Sequence, residues 1–191
     1  MKRQIVTSVV MFLAFTLLTG VIYPLVGLLL GQTLFSQQAN GSLITLDGKV
    51  VGSSLLAQQF ASPIWFSPRP SAVGYSGSAS GASNLALSNP VLAKQIAALA
   101  FQYRKENHLG AKAAVPADAV MSSASGLDPD ISIANALDQA PRVASLRHIK
   151  LGVLTKLISK ATQSPPSWLI ATPVVNVVEL NLFLAKLQPR S

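Results

Sequence analysis

From Ile5 to Leu30 the chain runs 26 residues without a charged side chain. A bilayer core of about 30 Å takes about 20 helical residues. The stretch is therefore predicted to span a membrane with tilt, or to project a turn beyond it. After it the pattern breaks into short apolar runs. Ser42–Asp47 and Lys49–Val51 flank Asp47-Gly48, a turn pair that predicts a β-hairpin. Ser54–Phe60 reads as a short helix, and the Ser-, Gly- and Pro-rich stretch from Ser62 to Asn89 as a long loop.

Asn89 is placed to cap a helix that has Pro90 in its first turn, Leu92, Ile96, Leu99 and Tyr103 on one face, and Gly110 as its stop. Val120–Ser123 reads as a short strand. Ser132 starts a further helix that Pro141 is expected to kink or end. Leu151–Thr162 turns Leu154, Leu157, Ile158 and Ala161 inward, and Pro165-Pro166 closes it. Val174–Val178 reads as a strand leading into a helix with Leu180, Leu184 and Leu187 on one side. Val178, Leu180, Leu182 and Leu184 also alternate as a strand would. The expected architecture is α+β: residues 1–4 outside the lipid, a membrane helix over 5–30, and one mixed, helix-rich domain over 31–191. No internal repeat is visible.

A cleaved signal peptide is the rival reading of the first segment. Signal cores run about 7–15 residues; this run is longer, contains Pro24 and ends without an A-x-A site. Zero cysteines rules out lipoprotein attachment, disulfides and thiolate metal sites. Thr16, Gly20, Pro24, Gly27 and Gly31 fall on one broad helical face. Small residues permit the close backbone approach that joins helices in lipid, although Gly and Pro are frequent in membrane helices anyway. Lys2 and Arg3 precede the helix, and the next basic residue is Lys49. The positive-inside rule thus places the N-terminus in the cytoplasm and the domain on the periplasmic side.

The formal charge is +8, but the basic residues are scattered singly and lack interleaved aromatics. That argues against a nucleic-acid surface. His108 and His148 stand in no metal-ligand spacing. Gly77-Ser78-Ala79-Ser80-Gly81 resembles a nucleophile elbow but holds Ala79 where the serine must stand. No lysine has a serine three residues before it. Gly41 to Gly48-Lys49-Val50 has the wrong spacing for a phosphate loop. Asp128 and Asp130, two apart, read either as turn and cap residues or as a cation site. The residues therefore point to an accessory or binding subunit with no catalytic centre and no resident metal.

Several segments share one order along the chain. Arg69-Pro70-Ser71 follows Trp65-Phe66. Ser80-Gly81-Ala82-Ser83-Asn84-Leu85-Ala86 precedes Ser88-Asn89-Pro90. Ser123-Ala124-Ser125-Gly126-Leu127-Asp128-Pro129 precedes Ile131-Ser132. Pro141-Arg142-Val143-Ala144 follows Gln139, and Pro173-Val174-Val175-Asn176-Val177 leads to Leu180-Asn181. Behind a membrane helix with Gly20 and Tyr23-Pro24, they resemble the C subunit (KdpC) of the bacterial Kdp potassium-transporting ATPase, over nearly the whole chain. Ala82 stands where a glycine is usual, and Ser67-Pro68 where His-Gly is frequent. A Cβ at residue 82 would restrict positive φ, and with it a close backbone cradle.

The resemblance implies an inner-membrane, ATP-driven potassium importer. Its partners would be a potassium-binding, channel-like A subunit, an ATP-hydrolysing P-type B subunit, a small F subunit and membrane lipid. ATP and K+ are handled by the complex, with no cofactor held by this chain alone. The C subunit would assemble the complex and, as a catalytic chaperone, raise the B subunit's ATP affinity. Arg69, Ser83, Asn84, Ser125, Asp128, Arg142 and Asn176 are its partner-facing or fold-defining candidates. Residues 31–191 carry 13 basic and seven acidic side chains, so any attraction of potassium must be local. Asp118, Asp128 and Asp130 are the candidates, since Ala113 to Pro141 holds no basic residue. The alternative function is an anchored periplasmic enzyme or envelope-binding protein using the Ser/Gly-rich loop.

Overall fold

The computed structural model describes residues 1–46, 48–166, 168–169 and 171–187. The chain divides into two compact units, Met1–Val51 and Gly52–Ser191.

Helix α1 runs Lys2–Leu34, long and apolar enough to cross a membrane by length and composition. Residues 1–30 are all exposed. At Leu18–Ile22 the helix widens into a π turn, in which the Tyr23 N–H donates to the Leu18 carbonyl. Pro24 explains it: the proline has no N–H for the Gly20 carbonyl, and its ring would clash there in regular α geometry. Thr7, Thr19 and Thr33 each donate their hydroxyl to the carbonyl four residues earlier. These hydroxyls therefore need no water, as an apolar solvent demands. A short helix α2, Ser36–Ala39, follows. The Gln32 and Asn40 amides exchange two hydrogen bonds, of 3.3 and 3.1 Å. Strands β1 (Leu43–Leu46) and β2 (Lys49–Ser53) pair as expected. Asp47, half of the turn dipeptide, lies outside the described residues.

The second unit is built on a three-stranded antiparallel sheet in the order β3-β5-β4: Asp130–Ser132, Val174–Asn176 and Thr162–Gln163. Helices α4 (Ile133–Arg147), α5 (Leu151–Ala161) and α6 (Val177–Leu187) pack with it. Phe66, Ile131, Val143, Leu154, Ile158, Val175, Val177, Leu180 and Leu184 form the core. Fully burying such a side chain is worth about 1.5–3 kcal/mol. Helix α3 (Pro90–Glu106) is capped by Asn89, whose Oδ1 accepts from the Val91 N–H at 2.9 Å. Leu92, Ile96 and Leu99 are half-buried and Tyr103 is buried, as the spacing predicts.

Five local expectations change. Ser54–Phe60 is not helical, because its backbone is engaged elsewhere. Ala57 N–H donates to the Leu127 carbonyl, and the Ser54 carbonyl accepts from the Asn176 amide. Helix α3 stops at Glu106, before Gly110: Asn107 caps it and His108 takes φ +54°. Val120–Ser123 is no strand; a 3-10 turn, Ala117–Ala119, precedes it. Pro141 does not end its helix, which continues to Arg147. The carbonyl it deprives belongs to Leu137, on the exposed side. Leu187 is 44 % exposed, while Leu180 and Leu184 are fully buried. The strand-or-helix ambiguity at Val178–Leu184 resolves as helix because Asn176 Oδ1 accepts from the Glu179 N–H, a cap that ends β5 and starts α6.

Candidate functional site

Two constructions gather the residues singled out in the sequence. The first is a junction of three loops. Arg69 Nη1 pairs with Asp128 Oδ2 at 2.9 Å, both side chains about a third exposed or less. Ser71 Oγ donates to the Gly126 carbonyl at 2.6 Å and accepts from the Tyr75 N–H. Gly81 N–H donates to the Ser125 carbonyl, and Ser123 N–H to that of Pro70. Gly126 has φ +70°, and a Cβ there would lie 2.5 Å from Val73 Cγ2 and 3.0 Å from the Gly81 carbonyl oxygen. Only glycine fits. Ser125 Oγ accepts from the Leu127 N–H, and Asp128 Oδ1 from the Asp130 N–H, two local turns. Beside this junction lies an open recess of ≈ 710 Å³, with Leu55, Leu56, Arg69, Ser125 and Asp128 among its lining.

The second construction is a polar clasp inside the core. Gln139 Oε1 accepts from the Ser67 N–H and its Nε2 donates to the Ser67 carbonyl, at 2.7 and 3.1 Å. Asn181 does the same for Phe66. Arg142 donates to the carbonyls of Pro63 and Trp65 and to the side chains of Asn107 and Gln139. Arg147 donates to the Ile64 carbonyl, and its guanidinium lies 4.0 Å over the Trp65 ring. Five consecutive residues, Pro63 to Ser67, are thus held by side chains where a neighbouring strand would otherwise serve. Tyr103, Asn135, Gln139, Arg142 and Asn107 close the network: Tyr103 donates to Asn135, and Asn107 donates to the Tyr103 carbonyl. Burial pushes the Tyr103 hydroxyl well above its ordinary pKa, with Asp138 and Asp118 adding to the rise. Desolvation lowers Arg142, and Glu106 opposes that.

The other candidates separate. Asn176 caps α6 and ties down Ser54. Ser83 and Asn84 are exposed, Asn84 at φ +53°. Ala82 is not among the described residues with positive φ, so its Cβ brings no strain. Asp118 accepts from the Ser132 N–H and hydroxyl and from Asn135. Asp128 is in the ion pair, and Asp130 keeps Oδ1 buried without a partner. Burial first, then the Asp128 charge, holds Asp130 above the ordinary carboxylate range. Among the described residues no three His, Asp or Glu side chains could hold a metal. Thr16, Gly20, Pro24 and Gly27 are exposed; Gly31 is half-buried, and a Cβ there would meet Ala39 at 3.7 Å. Gln139, Asn181, Asn107 and Arg147 went unassigned in the sequence, where nothing marks a polar residue on a helix as buried.

Most of the junction, and Trp65, Phe66, Gln139, Arg142 and Asn181 of the clasp, lie in the segments that carried the resemblance. The family model described as "KdpC: K+-transporting ATPase, c chain" matches residues 5–186. The chain belongs to this family. Among curated members, the potassium-transporting ATPase KdpC subunit of Mycobacterium bovis BCG is 44 % identical over 98 % of this chain and 100 % of its own length. That of Photorhabdus laumondii is 45 % identical over 95 % of each chain. That of Yersinia enterocolitica is 46 % identical over 93 % of this chain and 90 % of its own. The KdpC family match includes α1 as well as the second unit, so the apolar helix is part of what these relatives share with the chain.

Proposed function

We propose that the chain is a non-catalytic subunit of a potassium-transporting ATPase, anchored in the bacterial inner membrane by α1 with its second unit on the periplasmic side. The match over residues 5–186 carries this reading, and the exposure of all thirty first residues supports the anchor. The orientation rests on Lys2 and Arg3. The partners are the channel-like A subunit, the ATP-hydrolysing B subunit and the small F subunit, and the chain serves to assemble or stabilise them. A periplasmic unit cannot touch cytoplasmic nucleotide. Any rise in ATP affinity is therefore relayed through α1 or its membrane partner as a coupling free energy between sites.

Two measurements test this. Solubilisation in mild detergent should bring the chain out with large membrane subunits; isolation alone sinks the subunit reading. Since the chain has no cysteine, Ser159→Cys on the exposed face of α5 gives a single thiol. An impermeant maleimide should label it on intact spheroplasts. Labelling only after permeabilisation reverses the orientation.

A further inference from the structure

Helix α3 is 17 residues long, yet Tyr103 is its only buried side chain. Its packed face is the line Leu92, Ile96, Leu99 and Tyr103. The opposite face carries Val91, Lys94, Ala97, Ala98, Phe101 and Lys105, all exposed. Phe101 is 71 % exposed at the middle of that face, and Leu87, just before the helix, is 87 % exposed. Helical geometry sets these six side chains within about a third of the circumference, at 100° per residue. A large aromatic among small alanines on a regular helix is an anchor geometry: the ring enters a pocket while the alanines admit close approach.

Charge selects the occupant. The face holds two lysines and no acid; the nearest, Glu106, lies towards the packed side and accepts from Gln102 at 2.7 Å. A second copy would fit by shape but not by charge. In the antiparallel register that seats Phe101 over Ala98 of the other copy, Lys94 falls against Lys105 at both ends. Like charges so opposed work against that pairing. The complement is an apolar patch bordered by carboxylates.

We infer that the outward face of α3, centred on Phe101, docks on an apolar, acid-rimmed surface of another subunit of the transporter. This rests on the proposed subunit reading. The assembled complex, purified from membranes, is the test. Ala97→Cys, carrying a benzophenone maleimide, should cross-link under light to a pump subunit. Adding Phe101→Asp should cut that cross-link at least fivefold, with the circular-dichroism melt unchanged because Phe101 is 71 % exposed. Raised salt should weaken the cross-link as the lysine contacts are screened. A product of twice the chain's mass makes the occupant a second copy and overturns the inference. So does a lipid adduct alone, or an intact complex with no cross-link. If no subunit co-purifies at all, the subunit reading fails first and this inference with it.

Discussion

Asn181 holds the main chain of Phe66 through a reciprocal pair of hydrogen bonds, each 2.9 Å, across 115 residues of sequence. Phe66 itself is fully buried. One carboxamide thereby lets an irregular loop enter the core without leaving an amide unpaired. Asn181→Leu keeps the branched outline of the side chain and removes both bonds. Leaving two buried backbone groups unsatisfied should cost about 2–4 kcal/mol, read as a lower urea midpoint at unchanged slope for the purified chain.

Arg142 sits in the core, 5 % exposed, donating to four acceptors, none of which is a carboxylate. Lysine keeps the charge but offers three donors from one point and cannot reproduce the planar fork. Arg142→Lys should therefore destabilise by about 2–4 kcal/mol. The same urea titration checks it, and a wild-type midpoint would mean the fork is dispensable.

At Gly126 a Cβ would fall 2.5 Å from Val73 Cγ2 at a φ of +70°. Gly126→Ala should spring the junction apart, freeing the 74–81 loop from its bond to Ser125. We expect a loss of about 2–3 kcal/mol and faster proteolytic cleavage within 74–81. Equal cleavage rates would show that the loops hold together without this contact.

Asp130 titrates above its ordinary range because of burial, Asp128 and Glu179. The folded state thus holds this proton to higher pH than the unfolded chain does, and stability falls as pH rises through the folded pKa. At neutral pH the charged form works against folding; at low pH, below both pKa values, it does not. Asp130→Asn should raise the melting temperature at pH 7 and leave it unchanged at pH 3. A uniform shift at both values would point to a packing effect.

Gly20 and Gly27 have open space where a side chain would grow. Gly20→Leu with Gly27→Leu should leave α1 intact, yet lower the yield of co-purifying subunits severalfold, by blocking close helix approach. If the complex stays whole while its ATP affinity falls, α1 carries the relay. A whole and fully active complex reduces it to a tether.

The elements that periodicity specified are those where one face packs and one faces out. Helices α3 and α5 follow their apolar spacing, and Asn89 caps where it stands. The largest misreadings fall where a backbone's partner is distant. Ser54–Phe60 loses its helix to Leu127 and Asn176, which meet Ala57 and Ser54 across 70 and 122 residues. Gln139 and Asn181, polar and helical, look like surface residues until Pro63–Ser67 is laid against them. The alternation through Val178–Leu184 suited strand and helix alike, and the Asn176 cap decided it.

The sequence by itself determined the anchor-length helix and the family, because these depend on apolar runs and the order of short motifs. Tertiary structure alone decided what the motif residues do. A buried amide or guanidinium takes its role from the backbone that reaches it. Chain closure from 72 residues (Ser67 to Gln139) to 122 (Ser54 to Asn176) sets that meeting, and local spacing does not encode it.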